Sequence, residues 1–165
     1  ASLAVFAFDF RDYGESEKGG GGSNWKLDAQ AAFVAAAGFE GVDATRMTAI
    51  GASIGADGAP DGCLLYNQDA GSGCVGALSL SPGNYLGMNY AETVTGLAPN
   101  PTWCLAAEQD GESAPTCNSA SGEHYRSQIY AGNAHGMMLI APGFDPLSMT
   151  LIQEFLELVF GETVK

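Results

Sequence analysis

Positively charged side chains are scarce in this chain of 165 residues. Six lysines and arginines stand against 19 aspartates and glutamates, which gives a formal net charge of −13 at pH 7. A surface of that sign repels the phosphate backbone of nucleic acids and the headgroups of anionic lipids. The composition therefore argues against nucleic acid or a membrane surface as a partner, and it indicates a solvated acidic face.

Long apolar runs and a signal-peptide pattern are also missing. No stretch approaches the roughly 18 consecutive apolar residues of a membrane-spanning helix, so none is predicted. The start lacks a basic stretch followed by an apolar run, so we expect that any signal peptide has been removed. An apolar content of 46% and a charged content of 15% indicate one globular domain over residues 1–165, long enough to bury a core.

Motifs for metals and phosphates are absent as well. The chain has two histidines, four cysteines and no C-x-x-C pattern, so no zinc site is predicted. The glycine run at 19–22 lacks the Lys-Ser/Thr of a P-loop and the spacing of a dinucleotide fingerprint. We therefore interpret it as a flexible loop between the first predicted strand and the first predicted helix.

The cysteines fall into two pairs that are close in sequence. Among three connectivities we expect Cys63–Cys74 and Cys104–Cys117. Two such disulfides would indicate an oxidising compartment, so we expect a secreted or periplasmic protein. Four buried free thiols are the alternative.

Apolar runs and helix-like segments alternate along the chain. Strands are predicted at 2–10, 46–52, 74–81, 101–108 and 125–132, and helices at 24–39 (with Ser23 as N-cap), from the Ser53 turn to about Tyr66, at 89–97 and at 146–160. Buried strands separated by helices are typical of a parallel sheet that is covered on both faces. The predicted fold class is therefore α/β, with a mostly parallel sheet.

Three candidate catalytic residues each follow a predicted strand. Ser53 lies in "GASIG" (51–55), which fits the G-x-S-x-G pattern of a nucleophile elbow. The pentapeptide alone is a weak signal in a chain with 23 glycines. Asp110 and His135 follow two later strands, however, and function gathers at the carboxyl ends of strands in open α/β sheets. The order serine, acid, histidine is that of α/β hydrolases.

Alternatives exist for the nucleophile and the acid. Ser53 could simply cap the helix that follows it. Glu108 and Glu112 flank Asp110 and could take its place. Asp57 lies one helical turn beyond Ser53, and we expect it to line the helix.

Three further residues have ordinary structural interpretations. His124 lies in a polar stretch before the last strand, which predicts a surface position. Met137 and Met138 follow His135 and could form the wall of an acyl pocket, although core packing is the commoner fate of methionine.

The chain resembles the α/β-hydrolase superfamily from residue 1 to about 160, and within it the bacterial dienelactone-hydrolase-like serine hydrolases. The similar segments are "FAFDFRDYGES" (with Asp12 where a glycine is usual), "VDATRMTAIGASIGAD", "ALSLSPGNYLGM", "TWCLAAEQDGES" and "QIYAGNAHGMMLI". The resemblance implies the α/β-hydrolase fold and places the nucleophile elbow, the acid loop and the histidine loop in register.

The resemblance also implies a role for each candidate residue. His135 would take the proton of Ser53 as general base and later protonate the leaving group. Asp110 would hold the imidazole tautomer and stabilise its charged form. The Ile54 amide would donate one hydrogen bond to the oxyanion, and the two glycines of the motif would allow tight packing around the turn.

The implied activity is hydrolysis of small-molecule carboxylic esters. A dienelactone hydrolase proper would carry a cysteine nucleophile, so serine at position 53 favours general esterase chemistry. No cofactor is implied. The alternative is a non-catalytic extracellular structural or binding module of hydrolase descent, since the fold alone does not fix a function.

The resemblance begins at a segment similar to the family's fourth strand. In that family three strands and a helix come earlier, and the third strand separates the fourth from the fifth. We therefore expect residues 1–165 to be the C-terminal part of a longer hydrolase, whose sheet a missing N-terminal fragment or another chain completes. That part would also carry the second oxyanion donor. In a compact alternative the first strand pairs directly with the second.

Overall fold

The computed structural model describes residues 3–20 and 24–161. Its centre is a four-stranded sheet in which all strands are parallel and follow one another in chain order. The strands are β1 (Met47–Ala52), β2 (Cys74–Leu80), β3 (Thr102–Ala107) and β4 (Tyr125–Tyr130). The predicted α/β class and parallel sheet are confirmed at this level.

Five α-helices accompany the sheet in the described part of the chain. They are α1 (Trp25–Ala37), α2 (Ile54–Ala70), α3 (Tyr90–Leu97), α4 (Ser113–Ser119) and α5 (Ser148–Phe160), and a short 3₁₀ helix covers Gly136–Ile140. Sequence periodicity predicted four of the α-helices and missed α4 and the 3₁₀ helix. The N-cap of α1 is Asn24, and the predicted cap Ser23 lies outside the described residues, as does the second half of the glycine run at 19–22.

Helices cover both faces of the sheet because side chains alternate along its strands. On β3, Trp103 and Leu105 pack with Leu151 and Phe155 of α5. Cys104 and its next-but-one neighbour Ala106 point the other way, into a cluster with α3 and α4. Burial on both faces explains why β2 and β3 are largely apolar in the sequence and show no regular alternation of apolar and polar residues.

Helix α2 lies against the sheet and is itself covered by α1. A Cβ atom at Gly62 would come within 2.9 Å of the Ala29 backbone, so only glycine permits this approach of α1. Phe33 of α1 stacks on Tyr66 of α2 with ring centroids 5.4 Å apart. The missing side chain at Gly62 thus lets α1 pack directly on α2.

Both predicted disulfides are present, and no described cysteine is free. Cys63–Cys74 joins α2 to the start of β2, and Cys104–Cys117 joins β3 to α4. Within the described ranges no helix combines the length and the apolar character that crossing a membrane would require.

The predicted first strand at 2–10 is wrong for the residues that the structure describes. Residues 3–10 form no strand, and they do not pair with β1 as the compact alternative required. Val5 is 90% exposed. An apolar run becomes a strand only when a neighbour completes its ladder of backbone hydrogen bonds, and among the described residues β1 pairs with β2 alone. The expectation of further strands from elsewhere stays a prediction.

Candidate active site

Ser53 occupies the sharp turn between β1 and α2. Its backbone is left-handed, with φ 56° and ψ −122°, and its amide donates to the Leu80 carbonyl oxygen at 2.9 Å. Such a conformation is strained for a residue with a side chain and is found where function keeps it. The turn therefore has the backbone geometry that the G-x-S-x-G pattern predicts.

The two glycines of the motif differ in importance. A Cβ atom at Gly51 would lie 1.8 Å from the Gly55 carbonyl oxygen, so this position requires glycine. A Cβ atom at Gly55 would meet nothing within 4 Å. Tight packing around the turn thus depends on the absence of a side chain at Gly51, and the same expectation for Gly55 is wrong.

The Ser53 side chain contacts a histidine and does not cap the helix. Ser53 stands at the N-cap position of α2 but makes no side-chain cap hydrogen bond. Its Oγ lies 2.8 Å from His135 Nε2. The alternative that the Ser53 hydroxyl caps α2 is therefore wrong, and the predicted contact of Ser53 with His135 is present.

His135 follows β4 and precedes the 3₁₀ helix, and its ring bridges two partners. The Nδ1 atom lies 2.8 Å from Asp110 Oδ1 and 3.0 Å from Oδ2. With the proton on Nδ1, the ring donates to the carboxylate and Nε2 is free to accept from the Ser53 hydroxyl. The His135 side chain is 38% exposed and that of Asp110 only 11%, so the acid is enclosed while the histidine can be reached from solvent.

Asp110, rather than either neighbouring glutamate, contacts the histidine. Glu108 and Glu112 are exposed, and neither has a hydrogen bond or ion pair to His135 in the described structure. The amide of Asp110 donates to the Ala107 carbonyl at 3.1 Å, which forms a turn at the end of β3. That turn directs the shorter aspartate side chain towards the histidine.

Ile54 is the first residue of α2. Its amide makes no backbone hydrogen bond among the residues that the structure describes. Amides in the first turn of a helix lack partners within it, and they favour negative charge in front of them. The position is compatible with donation to an oxyanion beside Ser53. This role stays a prediction.

Asp57 is 2% exposed and accepts hydrogen bonds from the amides of Gly83 (3.2 Å) and Tyr85 (2.6 Å). It lines α2 as predicted, but its contacts tie the helix to the segment after β2. Burial raises the pKa of this carboxyl group, and the hydrogen bonds from the backbone amides oppose the rise.

Sequence reasoning missed Ser81, which follows β2 directly. It is fully buried, and its Oγ accepts a hydrogen bond from the Gly136 amide at 2.9 Å. Because Gly136 is the residue after His135, Ser81 contacts the histidine loop. The backbone of Ser81 is left-handed, with φ 63°, and no local sequence pattern predicts this conformation.

Two minor expectations are corrected. His124 is half-buried rather than on the surface, because its Nε2 lies 2.9 Å from the Val94 carbonyl oxygen of α3. Met137 and Met138 are 61% and 58% exposed, so they do not pack in the core. They lie on the surface beside His135, where their role as the wall of an acyl pocket stays a prediction.

In the described ranges no group of three histidine, cysteine, aspartate or glutamate side chains could hold a metal ion. The site therefore consists of side chains alone: the Ser53 hydroxyl is hydrogen-bonded to the His135 imidazole, which is hydrogen-bonded to the enclosed Asp110 carboxylate.

No protein-family model, no curated protein and no solved structure matches this chain.

Proposed function

We propose that this protein is a serine hydrolase that cleaves small carboxylic esters through an acyl-enzyme intermediate, as a member of the α/β-hydrolase superfamily. The observation that carries the proposal is the continuous hydrogen-bonded chain from Ser53 Oγ to His135 and on to Asp110, with heavy-atom distances of 2.8 Å at each link. A serine hydroxyl is a weak nucleophile unless a neighbouring base removes its proton, and this arrangement provides one.

In the first half of the reaction, Ser53 Oγ attacks the ester carbonyl carbon while His135 Nε2 takes the hydroxyl proton. Asp110 stabilises the imidazolium that forms. The carbonyl oxygen becomes an oxyanion, and the Ile54 amide donates to it. His135 then gives its proton to the leaving alkoxide as the carbon–oxygen bond breaks, so an alcohol departs and the acyl group stays on Ser53.

In the second half, water attacks the acyl-enzyme and His135 again acts as base. The carboxylic acid is released and the Ser53 hydroxyl is restored. The sequence of steps needs no cofactor. The two disulfides support a secreted or periplasmic location, where such bonds persist.

A fluorophosphonate probe tests the proposal, because it forms a covalent bond with an activated serine. The serine oxygen displaces fluoride from phosphorus, so we expect the folded protein to gain the mass of one probe less that of HF, and Ser53→Ala to gain none. Ser72→Ala changes an exposed serine between α2 and β2 and should label like the unsubstituted protein. Hydrolysis of a nitrophenyl ester should fall by at least about a thousandfold in Ser53→Ala.

Two results would contradict the proposal. One is a folded protein that the probe does not label, which would favour a non-catalytic module of hydrolase descent. The other is labelling that persists in Ser53→Ala, which would show that another group reacts with the probe.

A further inference from the structure

Ser81 holds a strained position at the end of β2, directly beside the histidine loop. It is fully buried, its φ is 63°, and its amide donates to the Leu105 carbonyl at 2.8 Å. Residues other than glycine seldom adopt this conformation, and such strain persists where the surrounding structure imposes it. This conformation places the side-chain oxygen of Ser81 beside the histidine loop.

That oxygen satisfies an amide that has no partner in its own helix. Gly136 begins the 3₁₀ helix, and the first amides of a helix need acceptors from outside it. Ser81 Oγ is the acceptor for Gly136, at 2.9 Å. A Cβ atom at Gly136 would lie 3.6 Å from the Ser53 amide nitrogen, so this point of the histidine loop lies against the nucleophile turn.

The segment after Ser81 is in turn fixed to α2. Asp57, one helical turn into α2, accepts from the amides of Gly83 and Tyr85. Because α2 begins directly after Ser53, this segment and the nucleophile are attached to the same helix. The hydrogen bond from Gly136 to Ser81 connects the histidine loop to that common support.

We infer that Ser81 is a positioning residue for His135, acting through the Gly136 amide to keep Nε2 within hydrogen-bond distance of Ser53. The inference rests on the proposed function. Without the Ser81 oxygen, the buried Gly136 amide lacks an acceptor, and the loop must move to find another one. A small displacement of His135 slows proton transfer strongly, so kcat should fall. Ser81 is fully buried and does not contact substrate, so KM should change little.

The test compares Ser81→Ala with Ser79→Ala. Both serines are fully buried in or just after β2, but Ser79 Oγ donates to the Ala56 carbonyl and has no hydrogen bond to the histidine loop. Alanine keeps the Cβ atom, so it changes the hydroxyl alone. We expect Ser81→Ala to lower kcat by about tenfold or more with KM within about twofold, and Ser79→Ala to leave both unchanged.

A measurement that needs no catalysis separates this inference from the proposed function. In Ser81→Ala, hydrogen exchange at the Gly136 amide should accelerate by at least about tenfold, and the His135 Nδ1–H proton signal should broaden or disappear. If no ester hydrolysis or probe labelling is found but these signals change as expected, the proposed function fails while the positioning of His135 stands.

Three results would overturn the inference. The first is a Ser81→Ala protein with unchanged kcat and unchanged Gly136 and His135 signals. The second is an equal loss in Ser79→Ala, which would show a general effect of the core. The third concerns folding: Ser81→Gly relieves the left-handed strain, so if neither Ser81 variant folds while Ser79→Ala does, the residue is structural only.

Discussion

At the scale of single residues, Asp110 is the acid because of where the backbone hydrogen bonds between the β3 and β4 segments end. The loop still follows β4 for two residues after β3 ends, because the amides of Glu108 and Gln109 donate to the Tyr130 and Gly132 carbonyls. Asp110 is the first residue free of that ladder. Its carboxylate, and neither glutamate carboxylate, therefore reaches His135.

We predict that Asp110→Asn lowers kcat by about 10²- to 10⁴-fold, because an amide neither stabilises an imidazolium nor holds the required tautomer. Glu108→Gln and Glu112→Gln remove the same charge from exposed neighbours and should change kcat by less than about twofold. Steady-state hydrolysis of a nitrophenyl ester gives all three values. An equal loss of kcat in Glu108→Gln would contradict the assignment of Asp110 as the acid.

At the scale of elements, the two disulfides close loops of similar length but support different parts of the molecule. Cys104–Cys117 spans 13 residues and brackets the segment that carries Asp110. Cys63–Cys74 spans 11 residues and joins α2 to β2. The segment between Cys104 and Cys117 includes the start of α4, and Cys117 itself lies in that helix. With seven residues, α4 is too short to be stable alone.

The two pairs of cysteine-to-alanine replacements should therefore have equal effects on stability and unequal effects on activity. Each removes a short cross-link and should lower the free energy of unfolding by about 3 kcal/mol in the chain-entropy model. Denaturant unfolding measures this loss. We expect Cys104→Ala/Cys117→Ala to lower kcat several-fold as well, whereas Cys63→Ala/Cys74→Ala retains kcat. Equal kcat values in the two double variants would contradict a role of the Cys104–Cys117 disulfide in placing Asp110.

At the scale of the whole molecule, the excess of acidic groups extends into the interior. Asp61 is 2% exposed, its Oδ1 accepts from Thr93 Oγ1 at 3.0 Å, and its Oδ2 has no partner among the described residues. Burial raises the pKa of Asp61 to about 7, against the hydrogen bond from Thr93, and the negative charge of nearby Asp57 adds to the rise. The folded protein thus keeps a proton that the unfolded chain releases near pH 4.

This difference makes stability depend on pH with a definite sign. Between pH 4 and pH 7 the folded state binds more protons at Asp61 than the unfolded state, so the free energy of unfolding falls as pH rises, and the fall ends above pH 7. Asp61→Asn removes the effect because an amide does not titrate. The stability of Asp61→Asn relative to the unsubstituted protein should therefore rise by up to about 4 kcal/mol across this range.

Urea unfolding at several pH values checks this prediction. Asp69→Asn provides the matched control, since it replaces a carboxylate that is exposed on the same helix. A constant difference for Asp61→Asn would show that Asp61 is ionised in the folded state.

The sequence by itself determined most helix and strand positions and the three residues of the candidate site. Strands buried on both faces appear as apolar runs, and helices appear through their periodicity, since each depends on local pattern. Ser53, Asp110 and His135 could be named together because parallel strands bring their carboxyl ends to one edge. The disulfides were predictable because their partners are close in sequence.

Tertiary structure decided what depends on a partner elsewhere in the chain. Residues 3–10 have the composition of a strand but form none, because no strand in the described part of the chain pairs with them. Helix α4 forms from a weakly helical sequence because it is buried and cross-linked to β3. Ser81 contacts the histidine loop across 55 residues of sequence. A hydrogen bond of that range depends on how β2 and the histidine loop are packed together, and the local pattern around either residue contains no information about that packing.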